Sequence, residues 1–388
     1  MTSTRPHVSQ LPLEGIRVLD LTHVIAGPMA THQLCMMGAE VIKVERPGEG
    51  DGMRALRTQP DQNGVPPAFR ALNAGKKSVT LDLKVAKDRD HLLALASSCQ
   101  VFVENFRPGV AKRLGLSAGD IRRVRPDVIY CSISGWGQTG ELSALPAYDH
   151  VIQAATGMMA MQGSEGPPVK VGFPVVDTAT GMSAATAILA ALLRRAKGDT
   201  SDVEIDVSMV DSAMLLMATV YAQTIATDAA PPRVGNRGFV GSPGASTFEA
   251  ADGYVSIAAN TMGQFRTLCS IVGRADLALP PYLPDGLSDT DFLFNLASPE
   301  LGSELSAEIR KLEAAEFERA LIAGGVAAAR VRDLHEFLTE LYHKTPSLNV
   351  PEEPTALMPG FRSEGALKKE SCYAPLLGEH TKVTPETA

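Results

Sequence analysis

The stretch Ile16–Glu45, IRVLDLTHVIAGPMATHQLCMMGAEVIKVE, decides the fold class. Ile16–Leu21 reads as a buried strand, and Glu40–Glu45 (EVIKVE) as the next one. Between them Pro28 suits a first helical turn, and the spacing predicts a helix to about Gly38. Strand, helix, strand is the repeating unit of a parallel sheet. The alternation continues with a strand at Ser78–Leu83, a helix near Asp88–Ser98, a strand at Val101–Val103, a helix opening at Ser117 and a strand at Asp127–Ile133. The prediction is an α/β fold with a doubly wound, mainly parallel (Rossmann-like) sheet.

Farther along, helices are expected at Asp149–Met161 and Thr178–Arg195, a strand at Asp202–Ser208, and one buried helix at Met209–Ala226. The Pro- and Gly-rich run Asp228–Gly244 (DAAPPRVGNRGFVGSPG) reads as a linker or mobile loop. A smaller α+β region follows, with a strand at Gly253–Ala258, a helix at Gln264–Ile271, a helical pair over Ala307–Gly324, and irregular chain from Thr345 to Gly365.

Composition narrows the function classes. The 388 residues suffice for two domains, and 45% apolar content supports a sizeable core. A net charge of −8 argues against general nucleic-acid binding, and no stretch reads as a membrane span. The first fifteen residues have no apolar core of the kind a secretory signal needs. Five scattered cysteines have neither metal-ligand spacing nor a disulfide pattern, so no metal is expected and a reducing, cytoplasmic setting fits.

The segment Pro174–Met182 (PVVDTATGM) delivers Asp177 to the mouth of a helix whose apolar residues Met182, Ala185, Ile188, Leu189, Leu192 and Leu193 recur at helical spacing. A carboxylate there is an N-cap or, ionised by the helix terminus, a covalent nucleophile. Gly181 permits close approach to the backbone. The turn Thr22–Pro28 lacks the Gly-x-Gly-x-x-Gly pattern of dinucleotide sites, yet sits where such sheets bind anionic ligands. Basic residues follow the predicted strands: Arg46, Arg54 and Arg57, then Lys76, Lys77 and Lys84, then Arg107 and Arg113. A phosphate-rich ligand would use several of them.

Seven runs in order extend this reading: VLDLTHVIAGP (Val18–Pro28), GAEVIKVERP (Gly38–Pro47), VENFRPG (Val103–Gly109), IYCSISGWGQT (Ile129–Thr139), AYDHVIQ (Ala147–Gln153), VVDTATGM (Val175–Met182) and APLLGEHT (Ala374–Thr381). On these the chain resembles the class III CoA-transferases, the family of the formyl-CoA and carnitine-type enzymes. The resemblance implies that Asp177 is the nucleophile. It implies that His23, Val24, Ile25, Ala26, Arg46, Leu81, Lys84, Asn105, Phe106 and Arg113 line the CoA groove, with no proton-transfer role for His23. Trp136 and Tyr148 are placed at the acyl pocket, where Trp136 and Ile25 make it bulky and partly apolar. N–H groups near Gly181 or on the inserted loop are candidates for oxyanion stabilisation. No cofactor beyond CoA is implied; the partners are an acyl-CoA and a small acid, with succinate-like dicarboxylates the first guess. A large domain (1–215 and 340–388), a small inserted one (216–339) and an interlocked homodimer are also implied. Gly235–Gly244 has only dispersed glycines where some members carry a consecutive run over the aspartate. Racemases of the same superfamily need a base on each face of the substrate, and their Gly-His-Asp run is Ala147-Tyr148-Asp149 here, which favours the transferase, while the intact Asp177 argues against a catalytically silent CoA-binding protein.

Overall fold

The computed structural model describes residues 11–56, 64–238, 241–341, 344, 360 and 373–385. It divides into two compact units, Met1–Met159 with Lys170–Ala230 and Asn349–Ala388, and Ala160–Val169 with Pro231–Leu348. The sequence placed the first boundary at 215/216; the division falls at 230/231 because the helix following residue 217 stays with the larger unit.

The larger unit begins β1 (Arg17–Leu21), α1 (Ala26–Met36), β2 (Glu40–Glu45), α2 (Pro67–Asn73), β3 (Lys77–Thr80), α3 (Ala86–Ser97) and β4 (Val101–Glu104). It continues α4 (Val110–Leu114), α5 (Ala118–Arg122), β5 (Ile129–Ser134), α6 (Asp149–Ala155), α7 (Met158–Met161, which the division at 159/160 splits), α8 (Val175–Ala196), β6 (Val203–Ser208), α9 (Met209–Leu216) and α10 (Ala218–Thr227). The sheet order is β3-β2-β1-β4-β5-β6, with every adjacent pair parallel. Successive strand residues point to opposite faces. Val18, Val101, Val103, Ile129 and Cys131 pack beneath α1 and α8, whereas Leu19, Leu21, Phe102 and Tyr130 pack beneath α3 and α5. The helix expected to open at Ser117 does so through a reciprocal capping box with Asp120.

Two expected helices are broken. The one from Asp149 stops before Gly157, whose φ of +82° leaves the helical region. Met209–Ala226 is not one buried helix: Met217 leaves helical geometry, α9 and α10 bend by 82°, and α10 buries no residue.

The smaller unit holds β7 (Gly244–Ala250), β8 (Gly253–Ala259), α11 (Met262–Ile271), α12 (Pro299–Ile309), α13 (Ala314–Ala323), β9 (Ala327–Arg330) and α14 (Leu334–Glu340). Its antiparallel sheet, β7-β8-β9, packs Val255 and Ile257 against Phe265, Leu305 and Phe317. β7, β9 and α14 were absent from the sequence reading. Nearly all of the irregular stretch expected at Thr345–Gly365 lies outside the described residues.

Candidate active site

In an open parallel sheet, ligands bind beyond the carboxyl ends of the strands where the strand order reverses direction. Here that point lies between β1 and β4. The turns leaving these strands are tied together. The Asn105 carboxamide accepts from the His23 N–H and donates to the His23 carbonyl, both at 2.9 Å. Val24 follows with φ +69°, a strained state for a β-branched residue that costs roughly 1–3 kcal/mol. Its N–H donates to Asp51 Oδ1 at 3.1 Å. Burial and the nearby Lys43 ammonium push the His23 imidazole below its usual pKa, which favours its neutral form.

Two cavities meet at this edge and share His23 and Phe106 as lining residues. The larger, about 740 Å³, is also lined by Arg46, Leu81 and Lys84. Arg46 and Lys84 are exposed cations, although Arg46 pairs with Glu49 at 2.8 Å. Arg113 is exposed beside Gly109 but lines neither cavity. Three cations expected at a phosphate site are spent internally. Arg54 forms a fork with Glu45, Lys76 is buried on Asp20 at 3.0 Å, and Lys77 pairs with Glu40. Arg57 lies outside the described residues.

The smaller cavity, about 220 Å³, is lined by Val24, Ile25, Ala26, Asn105, Tyr148 and Asp177 among others. The structure therefore brings together the predicted turn, the predicted nucleophile and one predicted acyl-pocket residue. Trp136 is not among the lining residues, although its neighbour Gly135 is. The glycine-dispersed loop belongs to the smaller unit, and residues 239–240 within it lie outside the described residues. Among the described residues, no cluster of three His, Cys, Asp or Glu side chains is arranged to hold a metal ion.

Asp177 is not the N-cap. Pro174 holds that position, and Asp177 is the third residue of α8. The helix end is capped by Asp149 of α6, whose Oδ2 accepts from the N–H groups of Val176 at 2.8 Å and Asp177 at 3.0 Å. Asp149 Oδ1 accepts from the buried Gln153, which in turn accepts from the Val171 N–H at 2.9 Å. The expectation that the helix end would favour ionised Asp177 is overturned. Burial, reinforced by the Asp149 charge, pushes its carboxyl up to about 7. The N–H groups that would have favoured ionisation serve Asp149 instead. Among the described residues nothing donates a hydrogen bond to the Asp177 carboxyl, which leaves both oxygens available toward the cavity. Sequence reasoning did not assign Asp149 a role, although it stands in the run Ala147–Gln153 and in the first turn of a predicted helix.

Gly181 does admit a close neighbour, but that neighbour is α1. A β-carbon there would stand 2.6 Å from the Ala26 carbonyl oxygen and from Met29 Cγ. Its backbone is thus packed rather than offered to an oxyanion.

A carboxyl with a pKa near neutrality, lining a small cavity that meets a larger one edged by cations, suits acyl chemistry. Comparison with known proteins agrees. Residues 13–381 match CoA-transferase family III. The chain is 35% identical to the succinyl-CoA:glutarate CoA-transferase of Mus musculus, covering 96% of this chain and 86% of that protein. It is 34% identical to the acetyl-CoA:oxalate CoA-transferase of Acetobacter aceti, covering 87% and 85% respectively. In fold it is similar to a CAIB/BAIF family protein from Brucella suis, with a TM-score of 0.85, 28% identity, and coverage of 96% of this chain and 98% of that one. By sequence along nearly its whole length and by fold, the chain belongs to CoA-transferase family III and is an enzyme of the transferase class.

Proposed function

We propose that the enzyme moves CoA from an acyl-CoA thioester to a small dicarboxylic acid through covalent intermediates on Asp177. One observation carries the reading: Asp177 lines the small cavity that shares His23 and Phe106 with the larger, cation-edged one. The ionised Asp177 carboxylate attacks the thioester carbonyl, giving a mixed anhydride and CoA thiolate. The thiolate attacks the aspartyl carbonyl, forming an aspartyl-CoA thioester and releasing the first acid. The second acid's carboxylate attacks that thioester, regenerating a mixed anhydride and thiolate. The thiolate then attacks the new acyl carbonyl, releasing product and free Asp177. Each anhydride returns to a thioester like the one it came from, so the thioester energy is kept throughout and covalent relay replaces one hard exchange with easier ones. The reading needs no cofactor beyond CoA.

The larger cavity takes the nucleotide end of CoA, with Arg46, Leu81 and Lys84 against it and Arg113 at its margin. Ile25 and Tyr148 bound the acid. Arg107 is the one cationic side chain among the residues lining the smaller cavity, which supports an acid with a second carboxylate. Glutarate and oxalate, in the names of two relatives, are such acids. The racemase reading lacks its second base, since Tyr148 lines the cavity and His150 lines neither. The buried, unbridged thiols of Cys99, Cys131 and Cys269 support a cytoplasmic setting. A second copy of the chain is the expected partner.

The test is peptide mass spectrometry after mixing with succinyl-CoA and a panel of acyl-CoAs. The expected result is a CoA adduct on the Asp177 peptide, removed by hydroxylamine and absent in Asp177→Ala. No adduct, with solvent deuterium entering the α-carbon of a branched acyl-CoA, would instead establish racemisation.

A further inference from the structure

The turn after β1 holds a valine in a conformation that L side chains rarely adopt, with Val24 at φ +69°. Such a state persists only where its surroundings over-determine it. The surroundings here are specific. The Thr22 carbonyl accepts from Lys43 Nζ at 2.7 Å, and the Thr22 N–H donates to Asp20 Oδ1 at 2.9 Å. Asn105 takes both polar groups of His23. Asp51 takes the Val24 N–H, and the same Oδ1 accepts from the Met53 N–H at 3.0 Å. Its other oxygen pairs with Lys43 Nζ at 2.9 Å, and both side chains are wholly buried.

Neither Lys43 nor Asp51 lines either of these two cavities, yet both hold what does. Asp51 is flanked by Gly50 and Gly52, which line the larger cavity, and its own N–H is bound by Glu45 Oε2 at 3.0 Å. On its other side it holds the turn that lines the smaller one. One carboxylate thus joins the two walls. A buried ion pair is weak evidence for stability by itself, because apolar replacements are often as stable. That leaves positioning as the use to which this one is put.

Resting on the CoA-transferase reading above, we propose that Asp51 is a positioning residue for CoA: paired with Lys43, it holds the His23–Ala26 turn, in which Val24 is left-handed, without touching the substrate. The essential element is the oxygen at position 51 that receives the Val24 N–H.

The experiment compares two double variants of the full chain that remove the same pair of charges. Lys43→Met/Asp51→Asn keeps an oxygen acceptor at position 51; Lys43→Met/Asp51→Ala does not. CoA binding is measured by calorimetry, and folding is checked by thermal melts. The asparagine pair is expected to bind CoA within about threefold of the parent chain, and the alanine pair at least about tenfold more weakly. Adding Val24→Gly, for which positive φ carries no steric penalty, is expected to shrink the gap between the two pairs to about threefold or less. Equal CoA affinity of the two pairs, or a gap unchanged by Val24→Gly, overturns the proposal. If the alanine pair does not fold, Asp51→Leu replaces Asp51→Ala as the shape-similar partner that lacks an acceptor. A parent chain that binds no CoA overturns the CoA-transferase reading itself and this proposal with it, whereas a parent that binds while the pairs tie overturns positioning alone.

Discussion

At Asp177 two opposing effects act on one carboxyl. A helix N-terminus favours the anion, while burial and a neighbouring carboxylate favour the acid, and the second set wins because Asp149 already occupies the helix N–H groups. The folded chain therefore holds this proton more tightly than the unfolded chain does. Its contribution to stability declines as pH rises from the ordinary 3.8 to about 7, then levels off. Asp177→Asn is expected to gain stability over the parent progressively across that window, on the order of a few kcal/mol at pH 8, and so to melt higher. Thermal melts at several pH values check this, and a difference that does not change with pH would refute the raised pKa. Asp149→Asn keeps an acceptor for the helix end but removes the charge, so the acid limb of kcat/KM is expected to move to lower pH. The sequence identified Asp177 as a carboxylate at a helix mouth but took the wrong residue as a possible cap. The actual cap comes from 28 residues upstream, beyond any local window.

The parallel sheet was legible element by element, because buried strands read as short apolar runs and the helices between them carry the 3.6-residue period. What escaped depended on partners. Ala327–Arg330 (AAAR) has no β-branched or aromatic residue and is a strand because it pairs with β8. Arg54, Lys76 and Lys77 looked like ligand cations because a linear reading cannot see Glu45, Asp20 and Glu40 facing them. Gly181 was legible as a point of close approach, though not what approaches. Its contact sets the packing of α8 on α1. Replacing a helical glycine by alanine normally gains about 1 kcal/mol. Here the added carbon meets a backbone oxygen at 2.6 Å, which α1 must move to relieve. Overpacking of this kind costs about 1–3 kcal/mol. Gly181→Ala is thus expected to be a net loss of up to about 2 kcal/mol in denaturant unfolding, together with weaker CoA binding, since Ala26 opens α1 and lines the small cavity. A stabilised Gly181→Ala chain would show that the two helices are not held this closely.

At the scale of the whole molecule the question is what covers the apolar residues the larger unit leaves in solvent. α8 exposes Met182 and Leu193; α9 exposes Leu215 and Leu216; α10 exposes Tyr221 and Ile225 while burying nothing. Leu215 is 67% exposed and Ile225 65%. A short apolar helix gains its stability from packing rather than propensity, so α10 needs a partner surface. Scattered apolar residues on a surface are ordinary, but three successive helices that all present them are what an interaction face would use. A second copy of the chain supplies the same apolar residues and needs no further component. Sedimentation at micromolar concentration is then expected to give a particle of about twice 41.1 kDa. Its melting temperature should rise with protein concentration, as it does whenever assembly stabilises the folded state. Leu193→Lys with Ile225→Lys introduces like charges on this face while leaving the Asp177 cavity lining intact. That double variant is expected to lower the dimer fraction and the melting temperature together. A parent chain that sediments at 41.1 kDa with full acyl-exchange activity would show that these helices need no second subunit.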